Sequence, residues 1–98
     1  MPNVLLRRES VVEQKVCNWA TDKGILVLKF TPAGQRGWPD RVFLAEGRVA
    51  FIEFKAARDK PGLLQLHRLE TLRDHGIPAI WSHDYDESIA FLKGVFYD

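Results

Sequence analysis

The sequence predicts an α/β fold, a small mixed β-sheet flanked by helices in the order α-β-β-β-α-β-α. Three observations predict it. The run Val49-Ala50-Phe51-Ile52 is continuously apolar, which fits a strand covered on both faces better than one with a wet side. A second strand, Arg41 to Ala45, precedes it across the two residues Glu46-Gly47, so the pair reads as an antiparallel hairpin. A helical stretch and then a short apolar run, Ala79 to Trp81, follow it, and a strand–helix–strand crossover favours parallel pairing.

Each element has its own signal. Ser10 stands at an N-cap position with Glu13 three residues on, the capping-box spacing. A first helix is expected from there through Trp19 to Gly24, with Val12, Val16, Trp19 and Ala20 as its apolar stripe. Residues 1–9, with Arg7 and Arg8, read as a flexible arm. Ile25 to Phe30 is a nearly all-apolar strand, and Thr31 to Gly37 is a loop rich in turn residues. After the hairpin, Ala56 to Gly62 is a charged connector. Leu63 to His75 is a helix whose face is marked by Leu66, Leu69 and Leu72 and which Gly76 closes. Asp84 with Glu87 repeats the capping-box spacing and starts a last helix through Leu92. Phe91, Val95, Phe96 and Tyr97 either finish the core or contact a second copy.

The 98 residues are expected to form one domain, 1–98, and 46% hydrophobic with 28% charged residues is the balance of a globular protein. No segment has the apolar length that spans a bilayer, and the basic residues of Met1 to Arg8 precede no apolar run of the secretory kind. Cys17 is the only cysteine, which fits a reducing, cytoplasmic setting and excludes both an internal disulfide and a cysteine metal cluster. A net charge of +1 does not by itself suggest a nucleic-acid binder. The distribution is more telling: Met1 to Arg41 carries seven basic and four acidic residues, and Asp84 to Asp98 four acidic and one basic.

The chemistry concentrates in Asp40, Glu53 and Lys55. If Ala45 pairs with Arg48 across a two-residue loop, counting outward sets Asp40 against Glu53. Directly opposed residues have Cβ atoms roughly 4.5–5.5 Å apart, and like charges there are destabilising. A bulge at Gly47 would slip this pairing by one residue. Strand alternation puts Glu53 and Lys55 on the face of Val49 and Phe51, so charge extends a core face. Burying charge is costly unless it is paired or ligates a metal. Two opposed carboxylates beside a lysine therefore suggest a hard cation held by oxygen ligands. The plainer reading is a strand that runs into solvent at Glu53 with Lys55 pairing beside it. Arg36 and Arg41 flank the acid, and Lys15, Arg58 and Lys60 are further candidates for phosphate contacts or ordinary solvated charges. Gln65 shares a helical face with Leu69 and Leu72, where an amide could satisfy a backbone group. Trp38 is read as packing under its loop. His67, His75 and His83 are eight apart, which matches no zinc motif, and read as surface or helix-end residues.

Taken together, Glu13, Gly37-x-Pro39-Asp40, Glu53-x-Lys55 and Gln65 with Leu72 resemble the PD-(D/E)xK nuclease superfamily, and within it the stand-alone VRR-NUC domains. The resemblance runs from Ser10 to about Trp81. It implies a restriction-endonuclease-like core and a divalent-metal-dependent, structure-selective DNA endonuclease. Stand-alone members are associated with cutting four-way (Holliday) junctions as homodimers, whereas the same module in the Fanconi-associated nuclease acts on flaps. Branched DNA is thus the implied partner, with a flap or nicking endonuclease as the alternative and a non-catalytic nucleic-acid-binding module as the rival of another class. In the implied site Asp40, Glu53 and the Phe54 backbone carbonyl hold Mg²⁺ or Mn²⁺. Lys55 orients or deprotonates the attacking water or stabilises developing charge. Glu13 contributes through a metal-bound water or a second metal, or serves only as Ser10's capping partner, and Gln65 supports the site from behind. Neither an organic cofactor nor a membrane is implied.

Overall fold

The computed structural model describes the backbone of residues 4–97 and the side chains of residues 10–97. Its elements are α1 (Val4–Asp22), β1 (Leu26–Lys29), β2 (Arg41–Ala45), β3 (Arg48–Phe54), α2 (Leu63–Asp74), β4 (Ala79–Ser82) and α3 (Tyr85–Phe96), the expected order. The sheet runs β1-β2-β3-β4, antiparallel across the first two pairs and parallel between β3 and β4. It is the mixed sheet that a hairpin plus one helical crossover should make.

The hairpin turn decides the register. Glu46 and Gly47 both take positive φ, 52° and 76°, as a type I′ turn requires. Ala45 pairs with Arg48 and the ladder runs without a bulge to Arg41 opposite Ile52. β3 is an interior strand, paired on both sides, and Ala50 to Phe54 are buried without a break. One core cluster lies under α1 and α3 and joins Val16, Ala20, Ile89 and Leu92 to Phe43, Ala50, Ile52 and Phe54. The other lies under α2 and joins Leu69 to Val42, Phe51 and Ala79. The apolar run thus alternates between two helical layers. Phe91, Val95 and Phe96 pack against the first cluster, whereas Tyr97 is 44% exposed.

Several expectations need correction. Helix α1 begins at Val4, so Ser10 lies inside it and caps nothing; the preceding turns supply the partners that an N-cap would have replaced. The segment read as an arm is accordingly helical from Val4, while residues 1–3 and the side chains of Arg7 and Arg8 lie outside the described residues. On α2, Leu66 is 41% exposed, and the inward face runs through Gln65, Leu69 and Leu72 at i, i+4 and i+7. In β1, Leu26 and Leu28 are exposed, because this edge strand lies beyond the reach of α2, which packs over β3 and β4. At α3, Asp84 does cap: its carboxylate accepts from the Glu87 N–H at 2.8 Å, while the Glu87 carboxylate turns to Ser82 Oγ rather than completing a box.

Among the described residues, no helix is long and apolar enough to cross a membrane. Leu69 is 1% exposed and joins α2 to the sheet. Leu69→Ala should therefore cost about 2–5 kcal/mol in urea unfolding, whereas Leu66→Ala should change stability far less.

Candidate active site

The pairing of Arg41 with Ile52, carried one step further, brings Asp40 against Glu53 at the open end of the hairpin. Asp40 is tied there from two sides. Its carbonyl oxygen accepts from the Phe30 N–H at 2.8 Å, and its carboxylate Oδ2 accepts from the Phe54 N–H at 3.3 Å. Alternation along β3 turns Phe54 into the α1–α3 core and Glu53 to the α2 face, which Lys55 shares.

Glu53 is 3% exposed. Its Oε2 accepts from Gln65 Nε2 at 2.9 Å and lies 3.3 Å from Lys55 Nζ. Gln65 is held in turn, since its Oε1 accepts from the Gly62 N–H at 2.9 Å. This single amide covers a backbone donor at the start of α2 and orients the glutamate, so its presence on the inward helix face has a physical cause. Burial pushes the Asp40 carboxyl above its ordinary value; the Phe54 N–H opposes this, the Glu13 charge adds to it, and Lys55 and Arg41 offset it in part. Asp40 therefore sits where its negative charge is poorly compensated by the protein alone.

That deficit suits a cation, which would invert the local field. Among the described residues, no group of three or more His, Cys, Asp or Glu converges as a metal cage. Two carboxylates at a partly open strand end fit Mg²⁺, which keeps several waters and is usually bound through one or two carboxylates, and equally its oxygen-seeking analogue Mn²⁺.

Not every candidate residue gathers here. Glu13 projects from α1 and accepts a 2.6 Å ion-paired hydrogen bond from Arg41 Nε, both side chains being about four-fifths buried. Its charge reaches Asp40, but its direct partner is Arg41, neither Ser10 nor the Glu53 cluster. Arg41 is accordingly occupied on the α1 side of the sheet. Lys15 is exposed and lines a groove with Val11, Trp19 and Tyr85, away from the carboxylates. Arg36, Arg58 and Lys60 are exposed on the loop before Asp40 and the connector after Lys55. His67, His75 and His83 are exposed. Trp38 packs as expected, edge-on to Phe30 with centroids 6.3 Å apart, and donates from Nε1 to Gln35 Oε1 at 3.0 Å. Gly37 is required by its backbone: φ is 86°, and a β-carbon there would stand 2.7 Å from Leu64 Cγ. Sequence reasoning missed Arg68, whose Nε donates to the Arg36 carbonyl at 3.0 Å; no local signal separates it from other helix-surface arginines.

Known proteins resemble this chain in sequence and in fold. No family model matches the chain. The curated protein "Putative nuclease p44" of Acyrthosiphon pisum secondary endosymbiont phage 1 is 39% identical over 62 residues, 62% of this chain and 67% of that protein. A solved structure described as "VRR_NUC domain" superposes with a TM-score of 0.80 at 25% identity, over 93% of this chain and 98% of that one.

Two outcomes follow from this geometry. Gly37→Ala should lower stability by about 1–2 kcal/mol from the left-handed conformation alone, and by more if Leu64 cannot turn aside, as chemical denaturation would measure. Because the folded protein holds the Asp40 proton more tightly than the unfolded chain does, the ionised carboxylate destabilises the metal-free fold as pH rises above the ordinary Asp value of 3.8. Asp40→Asn, which keeps an acceptor for the Phe54 N–H, should thus melt higher than the wild type in EDTA at neutral pH. The gap should narrow as pH falls toward 3.8.

Proposed function

We propose, since the chain belongs to the VRR-NUC family, that it is a divalent-metal-dependent endonuclease acting on branched DNA, four-way junctions first, as a homodimer. The whole of 1–98 would be one nuclease domain working in the cytoplasm. The observation that carries the reading is the convergence of Glu53, Lys55 and Gln65 beside the strand end that holds Asp40.

In this reading Asp40, Glu53 and the Phe54 carbonyl hold Mg²⁺ or Mn²⁺. When bound, the ion supplies Lewis-acid polarisation of a phosphate oxygen and acidifies a water. Gln65 keeps the Glu53 carboxylate in one orientation, so that little reorganisation is needed on ion binding. Lys55, 3.3 Å from Glu53, is a fixed positive charge where negative charge develops on the phosphate in the transition state. We assign it this electrostatic role rather than that of proton acceptor, since it is already engaged by the Glu53 carboxylate. Glu13 acts at one remove, through Arg41 and through a water of the ion. Arg36, Arg58 and Lys60 flank the site in sequence on exposed segments and grip the DNA backbone, contacts that position the duplex without reading sequence. Arg41 is engaged by Glu13 and Lys15 faces another groove, which leaves them less suited to that task than the sequence suggests. Twofold symmetry would set two such sites against the two symmetry-related strands of a junction.

The test is a panel of labelled four-way junction, 5′ flap and plain duplex with Mg²⁺ or Mn²⁺ and an EDTA control. Paired symmetric nicks on the junction, lost in EDTA, are expected. Cutting confined to the flap would move the assignment to a flap nuclease, and binding without cutting to a non-catalytic module. Lys55→Ala should lower the cleavage rate by about 10²–10³-fold while junction binding in a gel-shift assay persists; undiminished cleavage would reject the assigned role.

A further inference from the structure

We propose that Arg68, on α2, is a positioning residue for the metal-binding carboxylates, clamping the loop before Asp40 so that Asp40 and Glu53 are set by one and the same helix. The proposal rests on the reading of those two acids as metal ligands.

Asp40 closes a stretch of 11 residues, 30–40, between the end of β1 and the start of β2, none of them helix or strand. A segment of that kind holds a ligand in place only if something rigid ties it down. α2 ties it at two points. The Arg68 guanidinium donates from Nε to the Arg36 carbonyl at 3.0 Å and lies over the Trp38 ring, 4.5 Å from its centroid. One turn earlier, Leu64 fills the space above Gly37, with the Arg68 stem beside it. The clamp is continued inward. Trp38 meets Phe30 edge-on, Phe30 meets Phe51 with centroids 5.0 Å apart, and the Phe30 N–H binds the Asp40 carbonyl. Phe51 stands two residues before Glu53 on the same face of β3.

The same helix reaches Glu53 directly. Gln65 lies between Leu64 and Arg68 and donates to Glu53 Oε2. Within five residues α2 therefore grips the Asp40 loop with Leu64 and Arg68 and the Glu53 carboxylate with Gln65. Shifts of α2 would move both acids together, and loss of Arg68 would loosen the loop that leads into one of them. Lysine is a poor substitute, because the contact uses a planar cation stacked on an indole and an N–H directed along the side chain.

The experiment uses the full chain as wild type, Arg68→Ala, Arg68→Lys and Arg73→Ala. Arg73 is the control: it makes the same kind of bond, Nε to the Ala79 carbonyl at 2.8 Å, at the other end of α2. Titration with Mn²⁺ alone is followed by calorimetry, and amide hydrogen exchange is followed by mass spectrometry. R68A should weaken Mn²⁺ binding by about 10–100-fold and speed exchange in residues 31–40 while β3 stays protected. R68K should restore only part of the affinity, and R73A should bind Mn²⁺ as the wild type does. If R68A does not fold, R68K carries the same comparison. Wild-type Mn²⁺ affinity with unchanged loop exchange in the Arg68 variants would overturn the clamp, as would equal weakening by R73A. Absence of Mn²⁺ uptake by the wild type would instead overturn the metal reading beneath it.

Discussion

The pairing of Ala45 with Arg48 governs where every charged group of the site stands. A two-residue turn with both φ angles positive leaves the hairpin one register, and side-chain alternation does the rest. Slipped by one residue, β2 would turn Arg41 toward α2 and Asp40 toward α1, and the carboxylates would part. With the observed register, Arg41 meets Glu13 under α1, while Asp40 joins Glu53 and Lys55 on the α2 side.

The energetic consequence is local strain of an electrostatic kind. Glu53 is buried almost completely and is stabilised by an amide and an ammonium on one of its oxygens. Asp40, beside it, is less well compensated, and burial raises its proton affinity. Folding places both there because the surrounding strand residues bury large apolar side chains on both sheet faces, and that burial dominates the stability. In the proposed reading, a divalent cation would turn this arrangement from a liability into a site. Under that reading the fold would spend stability where its chemistry is concentrated, the usual relation between active sites and scaffolds.

Much of this was legible in the residues. The bounds of the hairpin strands, the continuous apolar run in β3, the mixed sheet and the Asp40–Glu53 opposition all follow from short-range rules: turn chemistry, alternation and crossover geometry. The first helix was misjudged because a serine and a glutamate three apart satisfy the capping pattern whether or not the chain is already helical before them. Leu66 was misjudged because an i, i+3 spacing fits two adjacent stripes of a helix, and only the sheet selects the one through Gln65. For Glu13 that same pattern offers Ser10 and the family resemblance offers a place at the metal, whereas its partner, Arg41, is 28 residues away.

The amino-acid order by itself determined which groups are available and which share a strand face, since both depend on covalent spacing and on a turn of two residues. Only tertiary structure decided how α2 lies against the hairpin. Its placement joins Gln65 to Glu53 across 12 residues and Arg68 to the Arg36 carbonyl across 32. Contacts of that separation arise from packing a helix onto a sheet, and no local periodicity encodes the angle and depth at which it settles.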